Sequence, residues 1–151
     1  MSANTRRASS LADHGFVVDA ARWPLVRVRA PAVTDDDGVT AFLQELERQH
    51  ERGPFALICE LPRLALPTAS HRRLFADGRR HLQRRFPGVL RCMALVTLAK
   101  LTALEGMLRA VAWLAPPDQP NRVFNDVDKA LAWCSGQLRP DAAAWLVEPT
   151  R

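Results

Sequence analysis

Pro54-Phe55-Ala56-Leu57-Ile58-Cys59-Glu60-Leu61 is an apolar run of strand length, and Val89-Leu90-Arg91-Cys92-Met93-Ala94-Leu95-Val96-Thr97 is a second. Runs with so little polar alternation fit strands covered on both faces, which is where parallel sheets place them. Between the two, Ser70 to Phe86 has the length of a helix and closes on Pro87-Gly88. Strand, helix and strand over that distance predict a βαβ unit.

The rest of the chain extends this unit in both directions. Upstream, Gly15-Phe16-Val17-Val18-Asp19 and Trp23-Pro24-Leu25-Val26-Arg27-Val28-Arg29-Ala30 read as a hairpin. In its second strand, Leu25, Arg27 and Arg29 alternate with Val26, Val28 and Ala30, which implies one wet face. Thr34 is the expected cap of a helix that carries Asp35, Asp36 and Asp37 at its dipole-positive end. Val39, Phe42, Leu43 and Leu46 share one face of that helix, and Gly53 stops it. Downstream, a helix is predicted over Leu101 to Trp113, followed by the proline-rich stretch Ala115 to Asn121. Arg122-Val123-Phe124 is a short last strand, and Asn125 is the expected cap of a final helix with Val127, Ala130, Leu131 and Cys134 facing in.

The order is ββαβαβαβα. It predicts a single-domain α/β fold: an open mixed sheet of about five strands flanked by about four helices. Residues 1–13 read as a mobile N-terminal tail, 14–138 as the domain, and 139–151 as a C-terminal extension in which Trp145 and Leu146 dock back. A chain of 151 residues is long enough to bury a sizeable core without a metal or disulfide staple.

Composition narrows the function classes. The net charge of +5 rests on nineteen arginines and only two lysines, Lys100 and Lys129. Cys59, Cys92 and Cys134 are odd in number, far apart and set in apolar runs, so buried free thiols are expected rather than zinc or disulfides. The N-terminus lacks the apolar region of a signal peptide, and no window approaches the length of a membrane span. A cytoplasmic protein is expected.

The charge is concentrated in one place. Ser70 to Phe86 holds six arginines and one aspartate, so its net charge equals that of the whole chain. At about 100° per residue, Leu74, Phe75, Gly78, Leu82 and Phe86 gather on one arc, and Arg72, Arg73, Arg79, Arg80 and Arg84 on the opposite one. A solvated helix face is the plain reading of such a stripe. Docking of an acidic protein or a phosphate-bearing ligand is the functional one. Nucleic-acid readout is disfavoured, because Phe75 and Phe86 lie on the inward arc and the chain has no tyrosine to stack on bases.

Catalysis finds no constellation. Ser70 and His71 are adjacent at a helix start and diverge in direction, and there is no GxSxG elbow, HExxH pair or phosphate-cradling glycine loop. Glu60 ends a buried strand at the carboxyl edge, where open α/β sheets place ligands. Its expected role is structural, orienting the start of the next helix.

Several residues resemble the STAS-like domains, the superfamily of the bacterial anti-sigma-factor antagonists, and especially its SpoIIAA-like branch. They are the Trp23-Pro24-Leu25-Val26 strand, the Phe55-to-Glu60 strand with the arginine-rich helix after it, and Val123-Phe124-Asn125-Asp126-Val127-Asp128-Lys129-Ala130-Leu131-Ala132-Trp133. The resemblance spans about residues 15 to 138. In the regulatory members an Asp-Ser-Ser-Gly run opens the helix after the central strand, and its first serine is phosphorylated. Laid on this chain, that motif puts Thr68 at the aspartate, Ala69 at the acceptor, Ser70 at the second serine and His71 at the glycine. The acceptor is missing, so phosphorylation would fall on Thr68 or Ser70 only if the loop shifts by one residue.

The resemblance implies a non-catalytic regulatory or docking domain without metal or cofactor. Its expected contact residues are Thr68, Ser70, His71, Arg72, Arg73, Arg79, Arg80 and Arg84, facing an acidic protein surface. Divergent relatives grouped with lipid-binding folds imply the alternative, a carrier or sensor of a small apolar ligand. A homodimer is compatible with either.

Overall fold

The computed structural model describes residues 15–31, 33–61, 68–97 and 119–146, with side chains described as far as Arg139. The expected tail, the helix over Leu101 to Trp113 and the docking of Trp145 and Leu146 lie outside what is described. Among the described residues there are five strands and three helices. In chain order they are β1 (Val17–Arg22), β2 (Leu25–Arg29), α1 (Asp36–Arg52), β3 (Phe55–Leu61), α2 (Ala69–Arg85), β4 (Leu90–Thr97), β5 (Asn121–Phe124) and α3 (Val127–Leu146).

The strands form one sheet in sequence order, β1-β2-β3-β4-β5. β1 and β2 make the expected hairpin, and every other neighbouring pair is parallel. Along β1 the register shifts between Asp19 and Arg22, and the amide of Ala21 is taken by the Asp19 carboxylate at 2.9 Å.

Two cores follow from the pleat. Val26, Val28, Phe55, Leu57, Met93 and Leu95 point to the face covered by α1 and α2, where Phe42, Leu46 and Leu82 meet them. Ala56, Ile58, Cys92, Ala94 and Val96 point to the other face, against Ala130, Cys134 and Leu138 of α3. β3 and β4 are therefore covered on both sides, which is why their sequences read as unbroken apolar runs. The chain steps β2, β3, β4 in one direction across the sheet. Right-handed crossovers then leave both connecting helices on the same face.

The helix ends correct two expected caps by one residue. Asp35, not Thr34, caps α1: its backbone is extended and its carboxylate accepts the Gly38 amide at 2.7 Å. Asp126, not Asn125, precedes α3 and accepts from the amides of Asp128 at 2.7 Å and Lys129 at 3.2 Å. In both cases a carboxylate adds charge at the dipole's positive end, which a hydroxyl or amide cannot supply. Gly53 ends α1 with φ at 120°, a backbone conformation that favours glycine. α3 runs on to Leu146, so the helix continues into the stretch read as a C-terminal extension.

Candidate functional site

α2 is built as a basic helix with two different flanks. Thr68 caps it, its hydroxyl accepting the His71 amide at 3.2 Å. Ser70 does not cap. Its hydroxyl reaches across to α1 and donates to the Asp36 carboxylate, 3.1 Å from each oxygen. His71 turns the same way, with Nε2 3.2 Å from Asp36 Oδ1 and little of its side chain exposed.

The clasp continues down the helix pair. His81 Nε2 lies 3.8 Å from Glu47, and Arg85 pairs with Glu47 and, at 3.8 Å, with Glu51. Between the charged ends Gly78 faces Leu43 so closely that a Cβ there would stand 2.6 Å from a Leu43 methyl. Asp36 with Ser70, Leu43 with Gly78, Glu47 with His81 and Glu51 with Arg85 keep a nearly constant offset in number, so the helices run parallel and in register. Exposed ion pairs of this kind contribute about 0–1 kcal/mol each. Their stronger effect is to fix how α2 is turned about its axis.

That rotation sorts the arginines. Arg73, Arg80 and Arg84 fall within about 40° of one another on the outward side of α2, and all three are exposed. Arg80 bonds Asp77 one turn back at 3.2 Å. Among the described residues no carboxylate pairs with Arg73 or Arg84. Arg72 is exposed on the flank away from α1. Arg79 departs from its expected place on the outer face: it is half-buried and lines a cavity between α2 and the sheet. Its position on the wheel, at the edge of the apolar arc, lets the stem lie along the core.

Glu60 does not orient α2. Its carboxylate crosses to β2 and pairs with Arg27 at 2.9 Å, both side chains partly buried. Arg29 is the residue directly opposite Glu60 in the ladder, so the bond is a diagonal one on the same sheet face.

Away from the clasp, three thiols and one imidazole depart from their ordinary titration. Burial pushes the Cys59 thiol up to about 12. Cys134 meets Cys92 beneath α3, and that partner together with burial pushes its thiol well above the ordinary range. A thiolate nucleophile is thereby disfavoured at both positions. His50 is buried, donates Nδ1–H to the Leu46 carbonyl at 2.7 Å and stands edge-on to Phe55. Burial holds its imidazole below the ordinary value, against the opposing pull of the Leu46 carbonyl and the Glu47 charge. Among the described residues no three His, Cys, Asp or Glu side chains gather as a metal site, and no helix is long and apolar enough to cross a membrane.

His50 makes stability depend on pH. The unfolded imidazole takes up a proton near 6.5, whereas the folded one stays neutral to lower pH, so protonation favours unfolding. The folded state is expected to keep its full margin above about pH 6.5 and to lose it on acidification, by at most about 1.4 kcal/mol per pH unit from this group. Urea titrations between pH 7.5 and 5 check this. His50→Gln should lower stability at pH 7.5 and flatten the profile, and an unchanged slope would rule out His50 as its source.

The clasp partners on α1 are what the sequence reading missed. On a helical wheel Asp36, Glu47 and Glu51 fall within about 60° of one another, and Leu43 joins them. That acidic stripe is a signal present in the chain. No protein-family model matches this chain, and no curated protein or solved structure matches it significantly.

Proposed function

We propose that the chain is a non-catalytic, STAS-like regulatory or docking domain that binds an acidic protein surface along the outer side of α2. The observation that carries this reading is the division of the helix. Its α1 flank is supplied with Asp36, Glu47 and Glu51, while Arg73 and Arg84 stand exposed with no carboxylate among the described residues to meet them. Guanidinium groups three turns apart on one rigid element match a row of carboxylates and speed the encounter with it.

Thr68 and Arg72 extend the contact at the N-terminal end of α2. Ser70 and His71 support it from behind by anchoring the helix to Asp36. A phosphate on Ser70 would face that same carboxylate and loosen the clasp through like-charge repulsion. On Thr68 it would sit at the dipole-positive helix end, with Arg72 and Arg73 within the next turn. Thr68 is the better placed of the two for a switch.

Cross-linking mass spectrometry of the purified chain in lysate of its own host provides the test. An acidic protein should cross-link to residues within 68–84, and its binding should weaken as ionic strength rises. Arg73→Glu with Arg84→Glu is expected to reduce its affinity by about 10- to 100-fold, mostly through the association rate. Arg29→Glu, an equal change of sign per residue on β2, should leave binding nearly intact. A partner insensitive to salt and to the α2 reversal would overturn the reading.

A further inference from the structure

Beneath α2 the sheet does not fill its own face. A cavity of about 210 Å³ lies between the sheet and the α1–α2 pair, walled by Phe42, Leu46, Leu57, Phe75, Met93 and Leu95 among others. An apolar cavity of about 150 Å³ already accepts benzene. The space here suits one ring with a short tail.

Four polar side chains stand on the wall: His50 of α1, whose Nδ1 is already taken by the Leu46 carbonyl, Arg79 and Gln83 of α2, and Gln119 just before β5. The Nε2 of Gln119 is buried with no hydrogen-bond acceptor among the described residues. A buried amide donor left in that state is costly, and native structures rarely leave one without an acceptor. Water answers the need only where several polar groups converge on it. Here aromatic and aliphatic side chains make up most of the wall. The acceptor that fits is an oxygen carried by a molecule whose remainder is apolar. Arg79, on the wall with Gln119, favours an anionic oxygen over a neutral one, since charge-assisted bonds are the stronger kind.

We propose that this cavity binds a small apolar monocarboxylate, its ring or branched chain among Phe42, Phe75, Leu57 and Met93 and its carboxylate at Gln119 and Arg79. The site goes beyond the docking reading. It uses a different flank of α2 from Arg73 and Arg84, and the two activities fail independently.

The probe is 3-phenylpropanoate, with 3-phenylpropanol as the same skeleton bearing a neutral oxygen. Methyl NMR of the full chain should show the carboxylate shifting the Met93 and Leu57 signals at sub-millimolar concentration, accompanied by a rise in melting temperature. The alcohol should bind at least fivefold more weakly. Gln119→Leu should weaken the acid about tenfold, with the methyl spectrum of the free protein otherwise preserved. Gln119→Glu should weaken it further by repulsion. Arg73→Glu with Arg84→Glu should leave acid binding unchanged whatever it does to protein docking. Absence of cavity shifts at millimolar acid in the wild-type chain would overturn the proposal without reference to any variant. Equal binding of acid and alcohol, or an unaltered Gln119→Leu, would overturn the assignment of the carboxylate.

Discussion

Phe55→Ala should destabilise the domain by about 3–5 kcal/mol, the range for deleting a fully enclosed aromatic ring. Among the described residues Phe55 is the largest side chain with no exposed surface. Its ring stacks on Trp23 at 5.5 Å and meets the edge of His50 at 4.9 Å. Each such aromatic pair adds about 0.5–1.5 kcal/mol beyond burial. Trp23 in turn lies under the Arg52 guanidinium at 4.1 Å, and His50 beside Phe86. One substitution therefore leaves gaps against the hairpin turn and the end of α1, and removes the support of the His50 ring that packs on Phe86 after α2. Urea denaturation followed by far-UV circular dichroism measures the loss. Phe55→Leu, which keeps most of the volume, should cost less than half as much. Equal stability of Phe55→Ala and the wild type would mean that these three elements do not share one core.

The second large effect comes from adding volume on the opposite face. Ala56 and Ala94 on the sheet and Ala130 on α3 have no exposed surface, and Cys92 and Cys134 fill the space beside them. Small residues on both sides let α3 lie close to β3 and β4. Ala130→Leu has nowhere to place its branch without moving the helix, so a cost of about 1–3 kcal/mol is expected. The same change at Ala132, exposed on α3 one turn from Ser135, should fall within about 0.5 kcal/mol of the wild type. Thermal unfolding of the two variants side by side separates overpacking from any change in helix propensity, because both make the same substitution in the same helix.

What could be read in the chain followed from how local each determinant is. β3 and β4 announced themselves because a strand with two covered faces has no polar positions to obscure it. The hairpin was readable from the alternation of Val26 and Val28 with Arg27 and Arg29, whose exposures follow that pattern. Helix caps were legible only to within a residue. Thr34 and Asp35, like Asn125 and Asp126, are neighbours of similar chemistry, and backbone geometry selects between them.

The arginine helix was legible as amphipathic but not as divided. Taken alone, its residues form one basic face. Only the parallel placement of α1, more than thirty positions earlier, draws Ser70, His71, His81 and Arg85 to one side and leaves Arg73 and Arg84 on the other. Arg79 was misplaced for a related reason: a wheel ranks direction, whereas a long side chain at the boundary can follow the apolar surface inward. The cavity and Gln119 carry no local signature, since a void is a property of elements meeting at a distance.

The irregular outer strand sets a limit on how this sheet can grow. Where β1 loses register, the Asp19 carboxylate occupies the Ala21 amide, a donor that an added strand could otherwise use. A bulged, self-satisfied margin is a poor template for edge-to-edge extension. Growth of the sheet past β1 is therefore disfavoured, which leaves β5 as the margin with the more regular ladder.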